Sequence, residues 1–222
     1  MARRRCPLSP LLIALLGVLL VPLFVSSWRL SLAGLALQGL LTAWIAYRME
    51  GSPDSAGAWL TLFDLILVRG VGAPLLLYGV LHAKKSPARN DIIPPNLLSW
   101  TLALGIVLVS FNFSEVLTPE DGDPQTLVAV ATAGLLLGFL VLATQSDPFS
   151  QMIGALRIEN SIALFELGGP RGQPNAGPDL FWLQLGQVLV VLTTVGLYRW
   201  YLARLPGADG KPVEPTVEGP AL

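Results

Sequence analysis

Apolar residues fall in seven long blocks, separated by short polar or helix-breaking segments. The blocks run over 8–25, about 30–47, 58–81, 97–117, 126–143, 149–167 and 179–202. Roughly 20 predominantly apolar residues, each rising 1.5 Å, cross the ~30 Å hydrocarbon core of a bilayer. Blocks of this length predict an all-α integral membrane protein of about seven transmembrane helices. The separators carry the residues that stop helices: Gly51-Ser52-Pro53-Asp54, Pro94-Pro95, the Pro- and Asp-containing stretch 118–124, and Gly168-Gly169-Pro170. Between the first two blocks, Ser26-Ser27-Trp28-Arg29 is so short that an antiparallel hairpin is expected. Trp44 and Tyr47, at the far end of the second block, suit a membrane–water interface.

The first block follows Met-Ala-Arg-Arg-Arg and so starts like a signal peptide, but no small-x-small cleavage site precedes Trp28. It is read as a retained span. Three parts are expected: a four-helix membrane region over 1–124, a three-helix membrane region over 125–205, and a Pro- and Gly-rich disordered tail over 206–222. Gly134 and Gly138 form a GxxxG pair, spacing that lets another helix approach closely.

Composition narrows the chemistry. Of 222 residues 53% are hydrophobic and only 13% charged, with mean hydropathy +0.62. Seven spans consume about 140 residues and leave no room for a separate water-soluble domain. The chain has one Cys, Cys6, and one His, His82. It therefore builds neither a four-Cys cluster nor a bis-His haem site, nor a disulfide within one copy. No cofactor, metal or catalytic residue of its own is expected, and any redox chemistry belongs to partner subunits. The expected partners are the lipid bilayer and other membrane subunits, not nucleic acid.

Orientation follows from the basic residues. With the C-terminus cytoplasmic, Arg29, Lys84, Lys85, Arg89, Arg199, Arg204 and Lys211 lie inside. Arg48, Arg171 and the triplet Arg3, Arg4 and Arg5 then lie outside, with the acidic loop Glu120-Asp121-Asp123. The positive-inside rule modestly favours N-out, C-in, although the Arg triplet counts against it.

A charged side chain at the bilayer centre costs ~2.5–3.5 kcal/mol even on the lenient insertion scale. Asp64, Arg69, Arg157, Glu159 and Glu166 all fall within the predicted spans, with Arg69 and Glu159 near mid-span on different helices. Glu159 and Glu166 are seven residues apart, hence on one helix face and ~10 Å apart along the axis, spacing that water could bridge as a proton path. Arg157 projects from nearly the opposite side. Asp64 and Arg69, five apart, are poorly aligned on an α-helix, so an interhelical Arg69–Glu159 contact is the more economical pairing. Two readings of that pair stay open: a role in charge movement, or a buried ion pair that only fixes helix packing. Simple solvation near span ends is expected for Asp64 and Glu166, and interhelical hydrogen bonding for Gln38, Gln184 and Gln187. His82 is expected at an interface.

The stretch Gln151-Met152-Ile153-Gly154-Ala155-Leu156-Arg157-Ile158-Glu159-Asn160 resembles the Q-x-x-G-x-x-x-x-E-N signature of the hydrogenase-4 component E family. Ser27-Trp28-Arg29-Leu30-Ser31 resembles that family's entry to helix two, with Gln38 inside the helix. Arg69 followed by Pro74 resembles a family Lys and Pro at the same interval. The resemblance covers about 25–204. It implies a membrane subunit of a complex-I-like hydrogenase assembly in a bacterial inner membrane, with antiporter-like membrane subunits and peripheral nickel–iron hydrogenase-like redox subunits as partners. The last three helices of the family are similar to the K subunit of respiratory complex I, and that match puts Glu159 on a proton (or sodium) path. Arg69 would tune Glu159, while Gln38 and Gln187 would orient water or side chains. The K subunit's second acid matches Gln187, which cannot titrate. Either Glu166 relays in its place or the route is incomplete in this chain. A purely structural assembly subunit, and a partner of an antiporter-like ion or inorganic-carbon uptake complex, are the alternative functions.

Overall fold

The structure, a computed structural model, describes residues 8–24, 27–51, 53, 55–83, 97–118, 122–145, 147–168 and 178–204. Among the described residues the regular elements are all helices. The helices are α1 (Ser9–Phe24), α2 (Trp28–Glu50), α3 (Ala56–Phe63), α4 (Ala73–Ala83), α5 (Leu97–Leu117), α6 (Asp123–Thr144), α7 (Pro148–Leu167) and α8 (Pro178–Arg204). A π-helical segment, Asp64–Gly72, joins α3 to α4. By length and composition five runs can cross a membrane: Trp28–Met49, Ala56–His82, Trp100–Leu117, Asp123–Thr144 and Gln184–Arg204. The chain is an all-α, multi-pass membrane protein. The Arg3–Arg4–Arg5 triplet, Cys6, the basic loop with Lys84, Lys85 and Arg89, Arg171 and the 206–222 tail lie outside the described residues.

Helix starts follow side-chain chemistry. Ser27, Ser55 and Asp147 each accept the backbone N–H three residues on, from Leu30, Ala58 and Ser150. Such caps satisfy donors that the helix itself leaves orphaned. Pro148 occupies the first turn of α7, where its missing N–H costs nothing. Gly51 closes α2 with φ +82°, a backbone state that side chains with a Cβ rarely adopt.

Two apolar clusters organise the bundle. The first joins α1, α2, α5, α6 and α7 through residues such as Leu15, Ile45, Leu127, Leu137 and Leu164. The second joins α2, α4, α7 and α8 through Leu35, Leu77, Met152, Val191 and Val195. Between them, α2 touches α1, α3, the π segment, α4 and α7, which makes it the central helix. Asp123, opening α6, holds the start of α1 by accepting from the Leu8 N–H and the Ser9 hydroxyl, so both helices begin at the same end of the bundle. The GxxxG spacing works as expected. A Cβ on Gly134 would strike the Ser161 hydroxyl, and one on Gly138 would strike Ile158, so α7 rests directly on the α6 backbone there.

The π segment overturns one expectation. On an α-helix, residues five apart diverge by about 140°. In a π-helix the i→i+5 hydrogen bond places them one above the other. Asp64 and Arg69 therefore align, and Arg69 Nε donates to Asp64 Oδ2 at 2.7 Å. The widening has local causes. Pro74 lacks an N–H and its ring conflicts with the carbonyl four residues back, while Gly70 and Gly72 weaken the α-helical preference beside it. The Ala73 N–H instead reaches back five residues to the Val68 carbonyl. Packing adds another cause: a Cβ on Gly39 of α2 would lie 2.7 Å from Gly70 Cα, so the two backbones meet with no side chain between them.

Outer surfaces are apolar. Leu104, Leu108, Val109, Phe113 and Val116 on α5, and Trp182, Leu189, Val190, Leu197 and Trp200 on α8, are all exposed. In a membrane protein such faces meet acyl chains or neighbouring subunits.

Candidate functional site: a polar lane beside helix seven

Polar groups inside the bundle gather where α7 passes α3, the π segment and α8. Near the middle stand Asp64 and Arg69, 7% and 4% exposed. Arg69 also points Nη1 at Asn160 Oδ1, 3.4 Å away on α7. Glu159 is half-buried next to Asn160, and its carboxyl group interacts electrostatically with both Arg69 and Asp64. No ion pair joins it to Arg69. The expected Arg69–Glu159 pairing is corrected: the partner is Asp64, because the π-helical register brings that carboxylate within reach along the same helix. Asp64 is correspondingly not a solvated residue at a span end.

Towards the end where α8 begins, Gln187 Nε2 donates to Glu166 Oε1 at 2.5 Å, joining α8 to α7. Between these two residues and Asp64 lies a cavity of about 20 Å³, walled also by Thr61, Gln184 and Val188. Towards the other end, a groove of about 590 Å³ opens between α7 and α8, lined by Gln151, Met152, Ala155, Leu197, Tyr198 and Tyr201 among others. Ala155 is one turn from Glu159 on α7, and Tyr198 interacts electrostatically with the Glu159 carboxyl group. Glu159 therefore stands on α7 midway between Ala155, which lines the groove, and Ala163, which lines the small cavity. Its Oε2 is buried and makes no hydrogen bond among the described residues.

Arg157 belongs to a different face of α7, the one that Gln38 of α2 meets. Gln38 Nε2 donates to the Arg157 carbonyl and to Ser161 Oγ, tying α2 to α7. Arg157, 2% exposed, donates from Nη1 to the Leu19 carbonyl of α1. These bonds clamp α1, α2 and α7 away from the lane. Of the site residues expected from sequence, Arg69, Glu159, Glu166 and Gln187 are brought to one lane, and Gln38 is placed outside it. Asp64, Asn160, Tyr198 and the cavity-facing side of Gln184 are the additions. A signal for the first lay in Gly70, Gly72 and Pro74, which together weaken an α-helical register after Asp64. His82 ends α4 exposed and stacked on Tyr78, with ring centroids 5.7 Å apart.

Among the described residues no group of three or more His, Cys, Asp and Glu is gathered as a metal site would need. What the lane offers is proton and ion chemistry: carboxyl groups at two depths, amides that donate or accept, and a guanidinium that fixes local charge. No protein-family model, curated protein or solved structure matches the chain.

Proposed function

We propose that this chain is a seven-span membrane subunit of a complex-I-like hydrogenase or oxidoreductase, carrying part of a proton (or sodium) path driven by redox chemistry in partner subunits. α1 and α7 supply the sixth and seventh spans. The first is a shorter apolar helix, and the second is a 20-residue helix that carries Arg157, Glu159 and Glu166. The N-terminus lies outside and the C-terminus in the cytoplasm, with nickel–iron hydrogenase-like subunits and antiporter-like membrane subunits as neighbours.

The observation that carries the reading is the position of Glu159, between the α7–α8 groove and the Asp64–Glu166 cavity and under the charge of Arg69. A carboxyl group there can take a proton from the groove side and release it towards Glu166. Arg69 favours the carboxylate while apolar surroundings favour the neutral acid, and a carrier needs both forms accessible. Gln187 holds Glu166 in place as the next acceptor, which assigns to Glu166 the relay that the amide cannot perform. Ionisable groups inside a membrane bundle are costly to retain and mark ion pathways.

The test is redox-linked proton uptake in inverted membrane vesicles, with partner subunits identified by co-purification. Glu159→Gln should leave the complex assembled and abolish proton movement. Unchanged translocation in assembled Glu159→Gln complexes would remove the carrier role. If the chain co-purifies with antiporter-like subunits and no redox subunits, the reading as an ion-uptake partner replaces this one.

A further inference from the structure

The groove between α7 and α8 has a defined depth and a charged mouth. On α7 it follows one stripe, Pro148, Gln151 and Ala155, from the first turn of the helix to one turn short of Glu159. Seven residues rising 1.5 Å each make that wall about 10 Å long, against ~15 Å for the hydrocarbon of one leaflet. On α8 the facing stripe is Leu197, Tyr201 and Arg204, spaced four and three apart and hence on one side of the helix. Met152, buried, and Tyr198, partly buried, form the inner wall. Gln151, Leu197, Trp200 and Tyr201 are exposed, so the groove opens sideways towards the bilayer. Its lining holds neither an acid nor a base. Arg204, in the last turn of α8, instead stands at the mouth, its Cζ 4.6 Å from the centre of the Trp200 ring. No carboxylate among the described residues pairs with Arg204. Asp147, next to Pro148, is turned to its own helix and caps the Ser150 N–H. Trp200 and Tyr201 close the spanning run Gln184–Arg204, where Trp and Tyr favour the membrane–water boundary. Since α1 and α6 start at one end, α2 and α7 start at the other, where α8 finishes. That end therefore also carries Arg29, over the Trp28 ring at 5.4 Å.

We propose that this groove holds one anionic phospholipid, its phosphate on Arg204 and one acyl chain lying along Leu197 and Met152 towards the middle of the membrane. An open apolar trough that runs most of the way through one leaflet matches an acyl chain that enters from the bilayer side. The volume, about 590 Å³, lies within the range of about 300–1,000 Å³ that small-ligand sites occupy. A guanidinium offers a phosphate two parallel N–H donors, and the Trp200 ring beneath it fixes where that fork stands. A zwitterionic headgroup brings its own cation near Arg204 and gains less from it. Arg29 adds to a positive rim at the same end, which suits a leaflet rich in anionic lipid. The chain takes the exposed side of the groove and leaves Tyr198 facing Glu159. The site needs neither a redox partner nor proton movement, so its failure and that of the proton-path reading are distinguishable.

The test uses the full chain in nanodiscs of equal parts phosphatidylglycerol and phosphatidylcholine, with retained lipid weighed by native mass spectrometry. One phosphatidylglycerol should stay with each chain, preferred over phosphatidylcholine at least about tenfold. Arg204→Gln should lower that preference about tenfold, the scale of a lost hydrogen bond to a charged group. Arg29→Gln makes the same change of charge at the same end but outside the groove, and should lower it less than about threefold. A phosphatidylglycerol with a photoreactive group midway along its chain should label Met152 or Leu197, and Leu197→Trp, which fills the trough, should abolish the label. No headgroup preference in the unaltered chain overturns the proposal and leaves ordinary boundary lipid only. Equal losses in the two arginine variants also overturn it, because the preference then follows the surface charge of that end alone. Labelling confined to other helices does the same.

Discussion

Removing the Asp64 carboxylate separates the π-helical pairing from the interhelical one. Arg69 is 4% exposed and its Nε lies 2.7 Å from Asp64 Oδ2, with a longer hydrogen bond from Nη1 to Asn160 Oδ1 beside it. Two unit charges ~4 Å apart interact by ~4 kcal/mol at an effective dielectric constant of 20. Breaking a buried pair on one side costs about 3–5 kcal/mol, because the surviving charge is left uncompensated. Glu159 makes the two halves unequal, since its carboxyl group acts on both members. Asp64→Asn leaves Arg69 with a nearby acid and should fall at the lower end, about 3 kcal/mol. Arg69→Met leaves Asp64 facing another acid and should fall at the upper end, about 5 kcal/mol. The double variant removes both charges and should return to within about 2 kcal/mol of the unaltered chain. Reversible unfolding by sodium dodecyl sulfate in mixed micelles, followed by tryptophan fluorescence and circular dichroism, measures all four corners. The reasoning fails if Asp64→Asn costs under about 1 kcal/mol while Glu159→Gln costs 3 or more. That outcome would make Glu159 the partner and deny the π register its role. Additive single losses would deny the pair altogether.

Other consequences can be checked on the same preparation. Gly39→Ala puts a methyl group 2.7 Å from Gly70 Cα, and the same unfolding assay should show a loss of about 1–3 kcal/mol despite the better helix propensity of Ala. Asp147→Ala removes the cap on the Ser150 N–H and should cost ~1 kcal/mol, with faster amide hydrogen exchange confined to the first turn of α7. Gln38→Leu breaks the bonds from α2 to the Arg157 carbonyl and Ser161 and should lower stability by about 1–3 kcal/mol. Because Gln38 stands outside the lane, redox-linked proton movement per assembled complex should be unchanged in that variant.

Most of the helical architecture is legible in the chain itself. Hydrophobic blocks of spanning length, broken by Gly, Pro and Asp, mark where helices start and stop, since a backbone in hydrocarbon must satisfy its own hydrogen bonds. The GxxxG pair at Gly134 and Gly138 likewise announces close approach, because its effect depends only on a missing Cβ. Glu159, Glu166 and Arg69 stand out as candidates for the same local reason, their charge within apolar runs.

Pairing was not legible. Which acid meets Arg69 depends on helix register, and the extra width over Asp64–Gly72 reverses the answer that a regular α-helix gives. Gln38 and Glu159 both project from inside apolar blocks, yet one clamps α2 to α7 and the other faces the lane, a difference set by which side of α7 each neighbour occupies. Thr61 is unremarkable in sequence, and only the crossing of α3, α7 and α8 brings it, Gln184 and Asp64 to the wall of one small cavity. Sequence determined that this chain lies in a membrane and holds charges there, because burial cost and spanning length are local quantities. Tertiary structure decided which of those charges are matched and which oxygens are left without a donor, because that depends on distances between helices.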